Sequence, residues 1–246
     1  MNNMAVKLLI KSAIRLKEDV EKFADKMILE RSVEAIYNPL SYAWNPHKAF
    51  IELGGGKGAK TLILGMNPGP HGMGQMGIPF SATKVVRDLL NIRDLEVKQP
   101  RNLHPKRPVK GLKWHKEEVS GTRLWNLLEK HYGGAENIFS NIFVVNHCPL
   151  MLFNGERATN ITPDKISGES VKELIQRCDQ HLKEVVEIMN IKRVIGVGKY
   201  AEKRANQALK GMNVEIVSCW HPSPASPLAN RNKGKDWREN IRSVLP

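Results

Sequence analysis

Apolar residues recur at helical spacing in six stretches of the chain and form four shorter continuous runs between them. The spacing predicts helices over residues 4–30, 82–91, 119–131, 170–190, 199–210 and 235–245. The continuous runs predict buried strands over residues 61–64, 138–145, 193–197 and 214–220. Because helices separate the strands, we expect a parallel sheet covered on both faces. The predicted class is a three-layer α/β/α sandwich with a central, mainly parallel four-stranded sheet.

The remaining segments lack a clear period and are interpreted as irregular. Residues 34–44 are expected to form an irregular crossing, and residues 49–53 allow a short strand. Residues 99–116 carry three prolines among Lys, Arg and His, which indicates a basic surface loop able to follow a phosphate backbone. Residues 151–168 are expected to be a long loop, and a further loop runs to Asn232.

Polar residues stand where three of the predicted strands end. Asn67 and His221 are each followed by proline, which favours an extended backbone, and Asn146 ends the second strand. Residues 65–80, which contain Asn67, hold five glycines and three prolines, so a flat ligand can approach their backbone N–H groups closely. Since the carboxyl ends of parallel strands share one edge, we expect these side chains to meet around a pocket.

Two other glycine-rich segments have structural explanations. Gly54-Gly55-Gly56-Lys57-Gly58 lacks the spacing and the final Ser/Thr of a P-loop, so a turn is expected. Gly196 and Gly198 form a partial dinucleotide fingerprint late in the chain, where tight strand–helix packing explains them equally well.

Composition narrows the class of partner. The 246 residues are expected to form one domain, 1–246, and 38 Lys and Arg against 25 Asp and Glu give a charge of +13 that favours nucleic acid. No apolar run is long enough to span a membrane and no signal pattern opens the chain, so we expect an intracellular protein, cytoplasmic in a bacterium or nuclear in a eukaryote. The three cysteines are far apart and odd in number, so reduced thiols are expected and neither a metal nor another cofactor is predicted.

Two motifs at strand ends resemble one enzyme family. Gly65-Met66-Asn67-Pro68-Gly69-Pro70 with the later Pro79-Phe80, and His221-Pro222-Ser223-Pro224, are similar to motifs of the single-strand-selective monofunctional uracil-DNA glycosylases. The likeness continues in order along most of the chain, in residues 38–44, 104–108, 119–121, 146–150 and 194–198.

This resemblance implies an enzyme that hydrolyses the N-glycosidic bond of uracil in single- and double-stranded DNA and leaves an abasic site. It implies that Asn67 positions the attacking water, that His221 donates a hydrogen bond to uracil O2, that Phe80 stacks on the base and that Asn146 reads its polar edge. Gly69 and Met73 would contribute the pocket wall. The DNA-contacting residues would be Ser223, Pro224, Ala225, Leu228, Arg231 and Lys233. We expect a monomer without cofactor, with modified uracils and other deaminated bases left open as substrates.

Three positions depart from the family pattern, and other functions remain open. His71, Met76 and Ala225 replace residues usual in the family, which leaves the range of bases and the residue inserted into the duplex undecided. A non-catalytic single-strand-binding module would use the basic surface and Phe80 for phosphate contact and stacking. A nicotinamide-dependent enzyme would use Gly196 and Gly198. Without the resemblance, a strand-end histidine, a loop Phe and Asn146 are more often structural residues.

Overall fold

A four-stranded parallel sheet lies at the centre of the fold. The computed structural model describes residues 3–246, so Met1 and Asn2 of the predicted 1–246 domain lie outside the described residues. The sheet has the order β3-β2-β6-β7, and its strands are β2 (Thr61–Gly65), β3 (Ile142–Asn146), β6 (Arg193–Val197) and β7 (Glu215–Cys219). Every residue of β2 is buried because this strand lies between two parallel neighbours. Pairing of Gly65 with Asn146 brings the ends of β2 and β3 side by side.

Helices flank this sheet, which confirms the predicted α/β/α class. Residues 3–246 contain ten α-helices: α1 (Asn3–Leu29), α2 (Pro39–Tyr42), α3 (Trp44–Gly54), α4 (Met73–Met76), α5 (Val119–Tyr132), α6 (Ala135–Asn141), α7 (Glu169–Met189), α8 (Gly198–Ala208), α9 (Pro227–Asn230) and α10 (Lys235–Arg242). The amphipathic helices α1 and α7 pack against each other along their apolar sides. A π-helical turn, Val85–Leu89, occupies the predicted helix 82–91.

A second, smaller sheet was not predicted. Its strands, in the order β1-β4-β5, are β1 (Ala35–Tyr37), β4 (Met151–Asn154) and β5 (Thr159–Ile161), and both pairings are antiparallel. The prediction of a long loop over 151–168 is therefore wrong for its first half. The β4–β5 hairpin matters for the site, because Ile161 and the residue before β4 contact the glycine-rich segment.

Three other boundaries differ from the expectation. Residues 49–53 belong to α3 rather than to a strand, and residues 34–44 contain β1 and α2. The apolar run 138–145 divides between the end of α6 and β3, since Ile138 and Phe139 bury their side chains from a helix. The loop before Asn232 contains the short helix α9, whose first turn is capped by the Ser226 side chain.

Candidate active site

A cavity of about 350 Å³ opens at the carboxyl-terminal edge of the central sheet. The residues after β2, β3 and β7 form its wall because parallel strands end on the same edge. Seven of the residues proposed from the sequence line it: Asn67, Gly69, Met73, Phe80, Asn146, His221 and Ser223. The structure thus brings both proposed catalytic side chains and all the proposed base-binding residues to one cavity.

The carboxamide of Asn67 is held by the small antiparallel sheet. Its Nδ2 donates to Leu150 O and Ile161 O, each at 3.4 Å. Because both donor hydrogens of the amide point toward backbone carbonyls, Oδ1 is the atom left to accept a hydrogen bond. The side chain is therefore oriented as an acceptor in the cavity wall.

His221 is held in one tautomer by its own loop. Ser223 N donates to His221 Nδ1 at 3.1 Å, so the proton of the neutral ring sits on Nε2. Burial lowers the pKa of His221 below its ordinary value of 6.5, which favours this neutral form. Gly198, at the start of α8, has a left-handed φ of 81° that favours glycine, and a Cβ there would be in ordinary contact with His221 Cβ at 3.5 Å. The arrangement presents a neutral N–H donor.

Phe80 and Asn146 share the floor of the cavity above Gly65. A Cβ on Gly65 would lie 2.5 Å from Phe80 Cε2 and closer still to Asn146 Oδ1, so only glycine allows both side chains to approach. Phe80 has a φ of 51°, a strained value for a bulky residue. Its ring lies 6.3 Å from that of His221 at an angle of 39°. Asn146 Nδ2 donates to Met73 Sδ at 3.2 Å, a weak partner that a better acceptor can replace.

A buried polar network fixes the backbone next to Asn146. His147 N donates to Gly65 O at 3.0 Å, and the His147 ring contacts Tyr200 Oη at 2.9 Å and Asp179 Oδ1 at 2.8 Å. Arg204 also pairs with Asp179. Because burial lowers the pKa of His147, we assign a neutral ring whose Nε2 donates to the carboxylate and whose Nδ1 accepts from the tyrosine. These bonds orient the end of β3.

Sequence reasoning missed five residues that line the cavity: Met66, Glu118, Ser120, Asn160 and Thr162. Glu118 accepts a hydrogen bond from Ser120 N at the start of α5, and burial raises the pKa of its carboxyl. Its place just before the predicted helix 119–131 carries no sequence signal for a pocket residue. Asn160 lies in β5, within the segment taken for a loop, and its Oδ1 is buried without a hydrogen-bond partner in residues 3–246.

The segment proposed to contact DNA leaves the cavity wall at Ser223, and we call residues 223–233 the rim. Pro224, Ala225, Leu228, Arg231 and Lys233 are exposed, and Leu228 is 42% exposed on α9. Arg123 anchors this rim by donating to Pro222 O and to Asn230 Oδ1, both at 2.9 Å. Arg231 forms an exposed ion pair with Asp236 at 3.3 Å. The exposed residues proposed to contact DNA thus present three apolar and two basic side chains from a fixed base.

The three cysteines lie outside this cavity. Cys148, Cys178 and Cys219 are buried free thiols, and no set of three or more His, Cys, Asp or Glu within residues 3–246 could hold a metal ion. In the same range no helix is long and apolar enough to cross a membrane.

His71 does not line the cavity, and Met76 is a buried core residue.

Comparisons with known proteins agree on a family. Residues 53–245 match the sequence model of the Uracil DNA glycosylase superfamily. The chain is 40% identical over 214 residues to a single-strand selective monofunctional uracil-DNA glycosylase of Rattus norvegicus, covering 86% of this chain and 76% of the relative. It is 41% identical over 201 residues to that of Bos taurus, covering 81% and 73% of the two chains.

A solved structure supports the fold independently. Wild-type Pedobacter heparinus SMUG2 superimposes with a TM-score of 0.59 at 19% identity, over 90% of this chain and 94% of that one. With the superfamily match and relatives near 40% identity, the chain belongs to the single-strand selective monofunctional uracil-DNA glycosylases of the uracil DNA glycosylase superfamily, a family of enzymes.

Proposed function

We propose that this enzyme hydrolyses the N-glycosidic bond of uracil in DNA and leaves an abasic site, with residues 1–246 acting as one glycosylase domain. The observation that carries the proposal is that Asn67, Phe80, Asn146 and His221 line one cavity at the edge of the sheet. These residues supply a water-orienting acceptor, a stacking surface, an amide reader and a neutral donor. The chemistry of uracil excision needs those four functions.

His221 stabilises the departing base in this proposal. Negative charge develops on uracil and is shared between O2 and O4 as the bond to the sugar lengthens. The Nε2–H of His221 donates to O2, and the bond from Ser223 N to Nδ1 supports this tautomer. One preorganised donor of this kind typically lowers the barrier by about 3–4 kcal/mol. A neutral donor achieves this without transferring its proton.

Asn67 orients the water that attacks the sugar. Its Nδ2 is engaged by Leu150 O and Ile161 O, so Oδ1 can accept a hydrogen bond from the water. A carboxamide is a weak base, but the cationic sugar formed by a dissociative mechanism needs little activation of its nucleophile. Orientation is therefore the main contribution of Asn67.

Phe80 and Asn146 select the base. The Phe80 ring stacks on the pyrimidine, while Asn146 Nδ2 donates to O4 and Oδ1 accepts from N3–H. Cytosine presents the reverse pattern of donor and acceptor and is rejected. Backbone groups of Gly69 and Met73 complete the pocket wall beside the ring.

The rim after His221 holds DNA around the extruded nucleotide. Removing a base from its stack costs roughly a few kcal/mol, and contacts made outside the pocket offset part of that cost. We assign gap filling to Leu228 with Ser223, Pro224 and Ala225, and phosphate contact to Arg231 and Lys233. The substrates proposed are single- and double-stranded DNA, with modified uracils included. The enzyme acts as a monomer, in the cytoplasm of a bacterium or the nucleus of a eukaryote.

Release of free uracil from a labelled oligonucleotide tests the proposal. We expect the wild type to release uracil from single and double strands, and Asn67→Ala and His221→Ala to bind DNA normally but lose excision by about 10²–10³-fold. Lys192→Ala, at the opposite edge of the sheet before β6, is the matched control and should excise normally. Undiminished excision by both site variants would refute the assignment, and binding without excision by the wild type would instead support a non-catalytic binding module.

A further inference from the structure

A second, smaller pocket lies beside the glycine-rich segment. It measures about 80 Å³ and is lined on one side by Pro70, His71 and Gln75, and on the other by residues of the segment 106–116. Lys106, Arg107 and Lys116 are among those residues, and the lining contains no carboxylate. Gly69 lines the base cavity while Pro70 lines this pocket, so the two sites are neighbours along one stretch of backbone.

An aromatic pair forms one wall of this basic pocket. The rings of His71 and Trp114 stack with centroids 5.6 Å apart and 15° between their planes. Trp114 Nε1 donates to His71 Nδ1 at 3.2 Å, so the neutral imidazole carries its proton on Nε2. Among the described residues, His71 Nε2 has no hydrogen-bond partner. It is a donor free to meet an acceptor that enters the pocket.

The charges around His71 have one sign. Burial lowers the pKa of His71, and the nearby Lys116, Arg107 and His115 lower it further. Within residues 3–246 the side chains that line the pocket supply positive charge and no carboxylate, a setting that favours a bound anion.

Hydrogen bonds hold the two walls at a fixed separation. Gln75, which is buried, donates from Nε2 to Pro70 O at 2.9 Å and to Pro108 O at 3.0 Å, and accepts from Lys110 N at 2.8 Å. Arg107 Nε donates to Ala158 O at 2.8 Å, which fixes the guanidinium. The pocket is thus preorganised, so a bound anion would require little ordering of the protein.

We propose that this basic pocket binds a backbone phosphate of the DNA strand that carries the flipped uracil. The inference rests on the proposed function, since it needs DNA with a nucleotide in the adjoining cavity. The pocket has room for a phosphate group, and its donors are those that recognise phosphate: Lys, Arg and an imidazole N–H. Binding here would anchor the strand beside the base cavity, next to Pro70 of the glycine-rich segment.

Binding measured with single methylphosphonates tests the assignment. Each oligonucleotide carries a non-hydrolysable uracil nucleotide and one uncharged methylphosphonate, moved in turn through the positions flanking it. We expect one position to lower wild-type affinity about tenfold, the size of a lost charge-assisted hydrogen bond. The same position should have less than a twofold effect in the double variant Lys106→Ala/Lys116→Ala, because its partners are already absent. Both lysines are exposed, so the variant should fold.

The matched control removes two positive charges elsewhere. Lys192 and Lys210 are exposed and precede β6 and β7, at the edge of the sheet opposite the site. Lys192→Ala/Lys210→Ala should retain the wild-type methylphosphonate profile, whereas Lys106→Ala/Lys116→Ala should lose it and reduce the salt slope of binding by about 1 or more. His71→Phe removes the N–H donor together with the nitrogen that accepts from Trp114 Nε1, and should weaken the same phosphate position.

Three results would overturn the proposal. One is a methylphosphonate profile of Lys106→Ala/Lys116→Ala identical to that of the wild type. Another is an equal loss in the control, which would indicate a general charge effect. The third is that millimolar inorganic phosphate binds the pocket while no methylphosphonate position in the DNA lowers the affinity. That result would assign the pocket to the free phosphate ion. Because binding needs no excision, failure of uracil release in the wild type would refute the proposed function and leave this result standing.

Discussion

Gly65→Ala tests whether the floor of the cavity reads the base. Gly65 ends β2 and pairs with Asn146, and its missing side chain is the space in which Phe80 and Asn146 meet. An alanine Cβ would lie 2.5 Å from Phe80 Cε2 and closer to Asn146 Oδ1, whereas ordinary contacts begin near 3.4 Å. The Phe80 ring must therefore move by about 1 Å, and the Asn146 carboxamide by more. Asn146 would also have to leave its bond to Met73 Sδ.

The expected loss follows from that displacement. A misplacement of about 1 Å in a positioned group costs on the order of 10²-fold in rate, equivalent to about 2.7 kcal/mol of barrier. Crowding of a packed interior also costs about 1–3 kcal/mol of folding stability. We therefore expect Gly65→Ala to fold, to melt at a lower temperature and to excise uracil about 100-fold more slowly under single-turnover conditions with saturating enzyme.

Two comparisons separate base reading from general damage. Gly196→Ala places a Cβ 2.6 Å from Glu202 N in α8, so it should destabilise the packing of that helix on β6 without entering the cavity and should excise nearly normally below its melting temperature. In Gly65→Ala/Asn146→Ala the closest clash is removed, so the added cost of the glycine substitution should shrink. If Gly65→Ala excises uracil at the wild-type rate, the cavity floor has no part in reading the base.

Three further predictions concern titratable or polar groups in the cavity. Because burial lowers the pKa of His221, the wild-type single-turnover rate should stay constant as the pH falls through 6.5 and should decline only at lower pH. A decline centred at or above pH 6.5 would contradict a neutral donor. Because burial raises the pKa of Glu118, the free energy of unfolding of the wild type falls as the pH rises above 4.5 and through the raised pKa. Glu118→Gln should therefore raise the melting temperature at neutral pH, and this gain should vanish below the ordinary pKa of 4.5. A gain that does not depend on pH would argue against a buried carboxyl at this position. Asn67→Asp would set a carboxylate oxygen against two backbone carbonyls. Calorimetry should therefore find a lower melting temperature for Asn67→Asp than for Asn67→Ala at neutral pH, and the difference should shrink in acid, where the carboxylate is protonated.

The central sheet and the strand-end residues could be predicted because local pattern and global topology agree there. The runs at 61–64 and 193–197 are short, mostly apolar and followed directly by glycine, and the strands differ from them by a residue at most. Once the strands are parallel, Asn67 and Asn146 must lie at one edge, whatever the distance between them in sequence. Their hydrogen-bond partners required the coordinates.

The small antiparallel sheet could not be predicted for the opposite reason. Its strands β1 and β5 have three residues each and β4 has four, too few for a period to be read. The hairpin turn includes Ala158, whose positive φ is unusual for a residue without a polar side chain. Asn160 and Ile161, whose carbonyl is one of the two that orient Asn67, both belong to this hairpin. Part of the cavity wall therefore depends on strands that only tertiary contacts stabilise.

His71 shows why adjacency in a motif does not assign a role. It departs from the family pattern two residues after Gly69, so the sequence suggested an effect on the range of bases. The short helix α4 returns the chain so that Met73 faces the base cavity while Gln75 and His71 face the segment 106–116. Trp114, more than forty residues away, occupies the imidazole nitrogen that would otherwise accept a proton. A change at position 71 therefore acts first on the basic pocket, and substitutions there should be compared through DNA affinity before base preference.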